Sequence, residues 1–461
     1  MKINDTLRYL NVGLPEDVLR RKLYGDFSGA IRLIDRRLAD ENTPDELRWC
    51  MIAQKEMIQR TAADFPYTRD EAIALVCGYI PDFTEEEFDE RVDNGRIRWI
   101  YLDGEMHIFN RFFDSMCKAD PPFAKRAGVT TYGVEDTVAS GNQEHKLDRV
   151  ARIMKEQGSI TNRIRIHATV RLKDEFFTPG MFIRAHLPIP SDCEQQSNIV
   201  IEAMYPENGK IAPADALQRT VCWEENMEEN HEFWVEYSYV HKATYHDVSK
   251  IVPDTVQPTF CTEEEAPHIV FTPYIKALVK KLSEGTDDPL EKARRFFDFV
   301  TLNCKYTFMP AYFVLENIAE TCARSFSGDC GVFALLFLTM CRCAGIPAQW
   351  QSGLTAEPDF CGGHDWVRFY IAPYGWLYAD PSYGTGAVRE NNEERRKFYF
   401  GNLDAYRMVA NRAFQAPFTI DKEHWRGDPY DNQVGEMETT DRGFSFQEYD
   451  RSKYTVYCEE I

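Results

Sequence analysis

Several features that mark common classes of protein are missing from this sequence of 461 residues. No window approaches the run of about 18 apolar residues that a membrane-spanning helix needs, and the first residues lack the apolar stretch of a signal peptide. Positive charge is scarce, because 53 Lys and Arg stand against 74 Asp and Glu, which gives a net charge of -21. We therefore expect a cytoplasmic protein with neither a nucleic-acid partner nor a membrane partner.

The sequence also lacks the spacings of common metal sites. It has no CxxC pair, no HExxH and no zinc-finger spacing, and its thirteen cysteines are an odd number scattered along the chain. Such usage is typical of reduced thiols rather than of a disulfide framework. We expect no metal and no other cofactor, and nothing in the sequence sets the oligomeric state.

The chain is too long for one ordinary core, so we expect several domains. Residues 1–118 are predicted to be a helical N-terminal domain with one β-hairpin. Its helix starts are indicated by Thr43, Thr68 and Thr84, each of which precedes a Glu by three residues, as in a capping box. An Asp-Gly pair at 103–104 lies between two β-rich runs and predicts the hairpin. A polar stretch over 119–144 reads as a connection.

Further along the chain the pattern changes twice. Apolar and polar residues alternate from 160 to 256, which predicts a β-sandwich domain. His167, His186 and His241 belong to these strands, and we expect them to be surface or edge residues rather than ligands. Residues 265–425 then combine helices and strands in the largest compact unit, and residues 426–461 read as a polar C-terminal tail. The predicted fold class is α+β.

The chemistry is concentrated around Cys330. It follows Ser-Gly-Asp at 327–329 and precedes a run that is apolar nearly all round, which predicts a helix buried at the centre of a domain. The unpaired N–H groups at the start of such a helix favour a thiolate and can stabilise an oxyanion. Ser327 or Asp329 is expected to cap this helix, and a carboxylate at 329 would oppose the thiolate unless it is turned into the cap.

Two further candidates follow in a strand–turn–strand segment. His364 begins the first strand after two glycines, and Asp380 ends the second strand before a proline. Pairing centred on Ala372 would place the two side chains opposite each other on one face. The turn residues favour a centre at Pro373 instead, which requires an irregularity in the pairing.

These blocks resemble the transglutaminase-like superfamily, whose core is related to papain-like proteases. The resemblance rests on Gly-Asp-Cys-Gly at 328–331, Gly-Ile-Pro-Ala at 345–348, His-Asp-Trp-Val at 364–367 and the run that ends in Asp380-Pro381. It covers about 270–385 and implies a papain-like core, and the preceding β-sandwich resembles the β-domain that often comes before it. The helical domain predicted over residues 1–118 precedes both and resembles no family. It further implies that Cys330, His364 and Asp380 are nucleophile, base and orienting group.

The function that the resemblance implies is acyl transfer on peptide or protein amides through a thioester at Cys330. Hydrolysis (peptidase or amidase) and amine cross-linking both remain open, and the alternative is a catalytically silent scaffold that binds a peptide or protein. A second oxyanion donor could come from Tyr306 or Trp350, although packing explains either residue equally well. Trp366 and Gly363 are candidates for the substrate cleft.

Overall fold

A computed structural model describes residues 1–129 and 144–461 of the chain. These residues form two compact units. The first comprises Met1–His145, Glu264–Thr272 and Asn303–Val332, and the second comprises Lys146–Glu263, Pro273–Leu302 and Phe333–Ile461. The predicted connection over 119–144 falls largely outside the described residues. Within the described ranges, no helix combines the length and the apolar character needed to cross a membrane.

The N-terminal part of the first unit is helical, with one small three-stranded antiparallel sheet in the order β1-β3-β2. The predicted hairpin is confirmed, and its turn residues Asp103 and Gly104 both have positive φ, at 50° and 90°. The helices are α1 Glu16–Leu23, α2 Phe27–Leu38, α3 Asp45–Asp64, α4 Arg69–Tyr79, α5 Glu85–Asp93, α6 Phe112–Ala119 and α7 Pro121–Arg126, and the strands are β1 Tyr67–Thr68, β2 Trp99–Leu102 and β3 Glu105–Ile108.

The three predicted capping boxes have different outcomes. The box at Thr68 is complete, since the Thr68 hydroxyl accepts from Glu71 N–H while Glu71 accepts from Thr68 N–H. Thr84 forms the forward half of its box, with Glu87 N–H as the donor. The box at Thr43 is wrong, because α3 begins at Asp45 and Pro44 takes the capping position. The Thr43 hydroxyl instead donates to the carbonyl of Arg37 at 2.6 Å.

The second unit begins with a helix and a run of antiparallel strands whose alternate residues are buried. Ile164, Ile166 and Val170 point into a shared core with Val235 and Tyr237, as the period of two predicts. The elements are α8 Lys146–Gln157, β4 Ser159–Leu172, β5 Met181–Pro188, β6 Gln196–Tyr205, β7 Lys210–Ile211, β8 Thr220–Met227 and β9 Phe233–Thr244.

The expectation that the strand histidines are surface or edge residues is wrong for two of the three. His186 is 0% exposed and His241 is 1% exposed. His186 lies at the buried end of β5, where four successive residues face protein, and β9 is a central strand of its sheet. Burial lowers the pKa of His186 well below its ordinary value and lowers that of His241 to about 4. Both imidazoles are therefore neutral at pH 7.

Residues 273–411 contain the elements that position the candidate site. A five-stranded antiparallel sheet has the order β15-β14-β13-β12-β16, and the apolar helix α12 packs on it with the Phe337 ring centroid 5.7 Å from that of Phe369. The elements are α9 Pro273–Leu282, α10 Pro289–Asn303, β10 Lys305–Tyr306, α11 Ile318–Ser325, β11 Ser327–Gly328, α12 Cys330–Cys343, β12 Ala348–Ala356, β13 Cys361–Ile371, β14 Gly375–Ala379, α13 Pro381–Arg389, α14 Glu393–Phe398, β15 Phe400–Gly401 and β16 Arg407–Asn411. The predicted α+β class is confirmed.

The predicted polar tail contributes to both sandwich sheets. It contains β17 Glu436–Glu438 and β18 Tyr449–Glu460, which pair with β5 and β4. The two sheets then have the orders β17-β5-β8-β7 and β18-β4-β9-β6. Most exposed positions of β18 are polar or charged, with Val456 as an exception at 43% exposure, and this gave the segment the composition of a tail.

The anchoring of β18 can be tested with two tyrosines of the same strand. Tyr449 is 2% exposed and its hydroxyl donates to the carbonyl of Gly435 at 3.1 Å, whereas Tyr454 is 52% exposed. We expect Tyr449→Ala to lower the free energy of unfolding by about 3 kcal/mol or more, because it leaves a cavity and an unpaired carbonyl. Tyr454→Ala, measured in the same urea titration, is expected to cost less than about 1 kcal/mol. Equal losses in the two variants would contradict the docking of this strand.

Candidate active site

His364 and Asp380 meet at one end of two neighbouring strands of the five-stranded sheet, near the start of β13 and just past the end of β14. Strand β13 pairs with β14 so that Val367 faces Ala379 and Ile371 faces Gly375, which centres the pairing on Pro373. The register centred on Ala372 is therefore wrong. Asp380 lies one residue beyond β14, at the start of α13, and from there its side chain reaches the imidazole of His364.

The contact between these two side chains is a short buried hydrogen bond. Nε2 of His364 lies 2.7 Å from Oδ2 of Asp380, and the two residues are 5% and 0% exposed. An ionised carboxylate can only accept, so Nε2 carries the hydrogen. The neutral imidazole then has its lone pair on Nδ1. A general base needs this tautomer when a carboxylate accepts the hydrogen bond from its other nitrogen.

Asp380 has a second partner in the backbone of α13. Its Oδ1 accepts from the N–H of Tyr383 at 2.8 Å, and Pro381 fills the first helical position, so Asp380 is also the cap of this helix. Burial alone would raise the pKa of Asp380, but the charges of His364 and Arg407 and these hydrogen bonds hold it below its ordinary value. The carboxylate is thus ionised and held at both oxygens.

Cys330 is the first residue of α12 and is partly exposed. The strand just before it, β11, pairs in parallel with β10, which fixes the backbone that leads into the helix. Asp329 supplies the cap, as one of the two predicted alternatives, because its Oδ1 accepts from the N–H of Val332 at 3.2 Å. The hydroxyl of Tyr312 donates to the same oxygen.

The cap of α12 carries an unusual carboxyl. Removal of water by the packed neighbours raises the pKa of Asp329 to about 6, although the Tyr312 hydroxyl, the Val332 N–H and the charge of Arg98 act in the opposite direction. At pH 7 this carboxyl is therefore still mostly ionised, and it takes up its proton as the pH falls through about 6. The opposition between a charged Asp329 and a thiolate at Cys330 therefore persists at pH 7 and weakens as the pH falls through about 6.

This shift predicts how stability depends on pH. The unfolded chain releases the Asp329 proton near pH 3.8 and the folded chain near pH 6, so the wild type loses stability as the pH rises through that window. Asp329→Asn keeps an acceptor for the cap and does not titrate. We expect its free energy of unfolding, relative to wild type, to improve by on the order of 1–2 kcal/mol between pH 4 and pH 7 in urea titrations.

Asp26 offers a matched control for that experiment. It caps α2 through the N–H of Gly29, and this hydrogen bond, opposed by burial and aided by Arg21, lowers its pKa. Asp26→Asn should therefore lose stability relative to wild type as the pH rises from below 3.8 toward neutrality. As the pH rises, the stability of the two variants relative to wild type is expected to change in opposite directions. A change in the same direction would contradict the assignment for Asp329.

The four remaining candidates from the sequence lie in different surroundings. Tyr306 lies on β10 with its ring centroid 4.0 Å from Nζ of Lys118. Trp350 is 1% exposed, and its Nε1–H has no hydrogen-bond partner among the described residues. Trp366 is fully buried and donates its indole N–H to Gln351 at 2.8 Å, so it belongs to the core rather than to an open cleft wall. Gly363 is exposed.

Gly363 is covered on one side by a residue of the C-terminal segment. A Cβ atom at position 363 would lie 2.3 Å from Oε1 of Gln433. Gln433 is held in place because its Nε2 donates to Asp365 and to Asp431, the latter at 3.0 Å. The glycine is therefore needed for close approach of this side chain beside His364.

Sequence reasoning missed one residue that touches the site. Arg407, at the start of β16, is 0% exposed, and its Nη1 lies 2.9 Å from Oδ2 of Asp380. It follows Asp380 by 27 positions and lies outside the recognised blocks. Its only local signal is Asp404 three residues earlier, a spacing that is common on protein surfaces.

Cys330 belongs to the first compact unit, and His364 and Asp380 belong to the second. The approach of the Cys330 sulfur to the imidazole of His364 stays a prediction. The hydrogen bond between His364 and Asp380 is a feature of the second unit by itself.

Comparison with known protein families places a match in this segment. Residues 276–381, which include Cys330, His364 and Asp380, match the family model of the transglutaminase-like superfamily. An uncharacterized protein, YebA of Bacillus subtilis (strain 168), is 24% identical over 129 residues, which are 24% of this chain and 17% of that relative. The match thus spans only a small part of the relative's length.

Two solved structures are also similar. A "putative cysteine protease" from Cytophaga hutchinsonii is 14% identical, with a TM-score of 0.38 over 66% of this chain and 91% of that chain. The periplasmic domain of TgpA from Pseudomonas aeruginosa is 15% identical, with a TM-score of 0.28 over 55% of this chain and 96% of that chain.

Proposed function

We propose that the protein is a thiol-dependent acyl-transfer enzyme acting on peptide or protein amides, from the premise that residues 276–381 match the transglutaminase-like superfamily. Cys330 is the nucleophile, His364 the general base and Asp380 the group that orients the base. The observation that carries the proposal is the hydrogen bond of 2.7 Å from His364 Nε2 to the buried Asp380 carboxylate. It leaves Nδ1 as the nitrogen that accepts and returns a proton.

The reaction then follows in two stages. The Cys330 thiol gives its proton to Nδ1 of His364 while the sulfur bonds to the amide carbonyl carbon, and the imidazolium returns the proton to the amine as the C–N bond breaks. The acyl group remains on Cys330 as a thioester. Water or a second amine attacks this carbonyl and passes a proton through Nδ1 to the departing sulfur.

The identity of the second nucleophile separates two outcomes for the substrate. Water as the nucleophile gives a peptidase or amidase, and a primary amine gives a cross-linked or amine-modified protein. N–H donors at the start of α12 are suited to stabilise the oxyanion in both cases. Tyr306 or Trp350 is proposed as the second donor, and for Trp350 the support is its buried and unpartnered indole N–H.

One experiment distinguishes these reactions and the non-catalytic alternative. The full chain is incubated with a protein extract and a biotinylated primary amine, and both amine-labelled residues and new peptide N-termini are mapped by mass spectrometry. Either product, formed by wild type and by the control Cys77→Ala but not by Cys330→Ala, supports the enzyme. If neither product forms, and iodoacetamide alkylates Cys330 and Cys77 equally fast, the peptide-binding scaffold is left as the function. Cys77 is a suitable control because it is a free thiol that is partly exposed, as Cys330 is.

We also propose a reducing compartment such as the cytoplasm. All thirteen cysteines are free thiols in the fold, including the buried Cys304 and Cys322. Alkylation of the protein in intact cells followed by mass spectrometry should find these thiols unpaired. A stoichiometric disulfide would contradict this assignment.

A further inference from the structure

The buried charges around Asp380 form a chain that continues beyond the transglutaminase-like segment. Arg407 lies against Asp380, with Nη1 2.9 Å from Oδ2, but this N–H does not point along a hydrogen bond. The contact is therefore mainly between charges. A buried guanidinium needs a better partner than this to be retained in the fold.

Asp404 is that partner. Both of its oxygens accept from Nε of Arg407, at 3.2 and 3.1 Å, and Oδ2 also accepts from Nη2. Asp404 is itself 1% exposed and is fixed by the Tyr399 hydroxyl at 3.1 Å and by the N–H of Tyr406 at 2.9 Å. Arg407 is thus anchored by Asp404 and presented to Asp380.

Aromatic rings complete the enclosure of the guanidinium. Its Cζ lies 4.5 Å from the ring centroid of Tyr383 and 5.3 Å from that of Trp366. The imidazole of His364 packs on the same two rings, with centroid distances of 4.8 Å to Tyr383 and 6.1 Å to Trp366. The base and the guanidinium therefore share one rigid, water-poor environment, in which charges act strongly on each other.

The charge balance of this cluster depends on the state of His364. Asp380 and Asp404 carry two negative charges and Arg407 carries one positive charge, so the cluster has a net charge of -1 while the imidazole is neutral and 0 when it is protonated. A buried cluster near neutrality costs less than one with an uncompensated charge. The titratable and charged groups that face it include His364 of β13, Tyr383 of α13, Tyr399 after α14, Tyr406 before β16, His241 of β9 and Cys458 of β18, with Glu357 behind Tyr383.

We propose that Asp404 and Arg407 are a positioning pair for the acyl-transfer reaction, which sets the net charge beside His364 and so controls how readily its imidazolium forms. This inference rests on the proposed function. Neither residue touches the substrate; both act through Asp380. Arg407 keeps Asp380 ionised, and Asp404 prevents Arg407 from cancelling the negative charge that the imidazolium needs.

The test uses the pH profile of Cys330 alkylation by iodoacetamide, read by peptide mapping. A thiol paired with an imidazole is expected to show an upper inflection where the imidazolium loses its proton. Removing one negative charge in Asp404→Asn should move this inflection down by about 0.5–1 pH unit, and removing the positive charge in Arg407→Met should move it up by a similar amount. Arg407→Lys should restore most of the wild-type profile.

The double variant Asp404→Asn/Arg407→Met is the control that isolates charge from packing. It restores the net charge of -1, so its inflection should return to within about 0.3 pH unit of wild type, and it removes both buried charges together. If Arg407→Met alone fails to fold, Asp404→Asn and the double variant still decide the question. The positioning role would be overturned if the inflection moved in the same direction in Asp404→Asn and Arg407→Met, or if it did not move in variants that are folded.

The same data separate this inference from the proposed function. If wild-type Cys330 reacts no faster than Cys77 and shows no upper inflection, the Cys330–His364 pair itself is absent and the proposed function fails. If wild type shows the inflection and the variants leave it in place, only the role of Asp404 and Arg407 fails.

Discussion

Replacing Cys330 by alanine is expected to lower turnover by at least about 10³-fold while leaving the fold intact, because no other group near His364 is proposed to form the thioester. Cys330 is partly exposed at the start of α12, and alanine keeps its Cβ atom. The free energy of unfolding should therefore change by less than about 1 kcal/mol. A rate loss without a stability loss is the signature of a reacting atom.

The measurement pairs a rate with an unfolding curve for two variants. Turnover is followed by release of new peptide N-termini or by amine incorporation, and stability by urea denaturation. Cys77→Ala, which removes a thiol of similar burial class from α4, should keep wild-type turnover. Residual activity above about one tenth in Cys330→Ala would show that another residue is the nucleophile.

The local chemistry of the site could be predicted from the sequence because it depends on short segments. The cap at Asp329, the apolar helix after Cys330 and the strand–turn–strand segment with His364 and Asp380 are each within about 20 residues of chain. Periodicity and cap residues identify such elements directly. The sequence left two possible centres, Ala372 and Pro373, for the pairing of β13 with β14. Only the structure shows that Asp380 lies beyond the strand and caps α13.

Long-range partners could not be predicted in the same way. Arg407 reaches Asp380, and brings Asp404 behind it, because β16 pairs with β12 at the opposite edge of the sheet from β14. No local pattern encodes that pairing. The strand β18 could not be predicted in full for a related reason. Its polar face gives a surface composition, while Tyr449 and the pairing with β4 are what tie it to the sandwich.

A cysteine beside a histidine does not by itself make a catalytic pair. In the sandwich, Sγ of Cys222 lies 3.6 Å from Nε2 of His186, and both residues are buried. Burial raises the pKa of Cys222 to about 12 and lowers that of His186 far below its ordinary value, so neither group is charged at pH 7. What distinguishes His364 is its ionised partner Asp380, which Cys222 and His186 lack among the groups that contact them.

Replacing Asp380 is expected to reduce both activity and stability. Asp380→Asn should lower turnover by about 10²–10⁴-fold, less than the loss in Cys330→Ala, because an amide no longer fixes the Nε2–H tautomer but the nucleophile and base remain. Asn retains an oxygen that can accept from Tyr383 N–H. Asp380→Ala also loses this cap, so it should be less stable than Asp380→Asn by about 1–2 kcal/mol.

The stability of the Asp380 variants should also depend on pH with a definite sign. Because the pKa of Asp380 in the fold is below its ordinary value of 3.8, its charge stabilises the native state above that pH, and this contribution is lost as the pH falls through the folded pKa. Wild type should therefore lose its advantage over Asp380→Asn in acid. Urea titrations at pH 7 and pH 3 measure the difference.

A second Asp-Pro cap in the same chain provides the matched control. Asp120 precedes Pro121 and accepts from the N–H of Phe123 at the start of α7, with φ and ψ of -131° and 89° against -121° and 88° at Asp380. It also pairs with Arg96 at 3.1 Å, but no histidine of the described residues forms a hydrogen bond or ion pair with it. Asp120→Ala should therefore cost about 1 kcal/mol of stability and leave turnover unchanged. If Asp120→Ala and Asp380→Ala lowered turnover equally, Asp380 would be a helix cap whose carboxylate has no part in orienting His364.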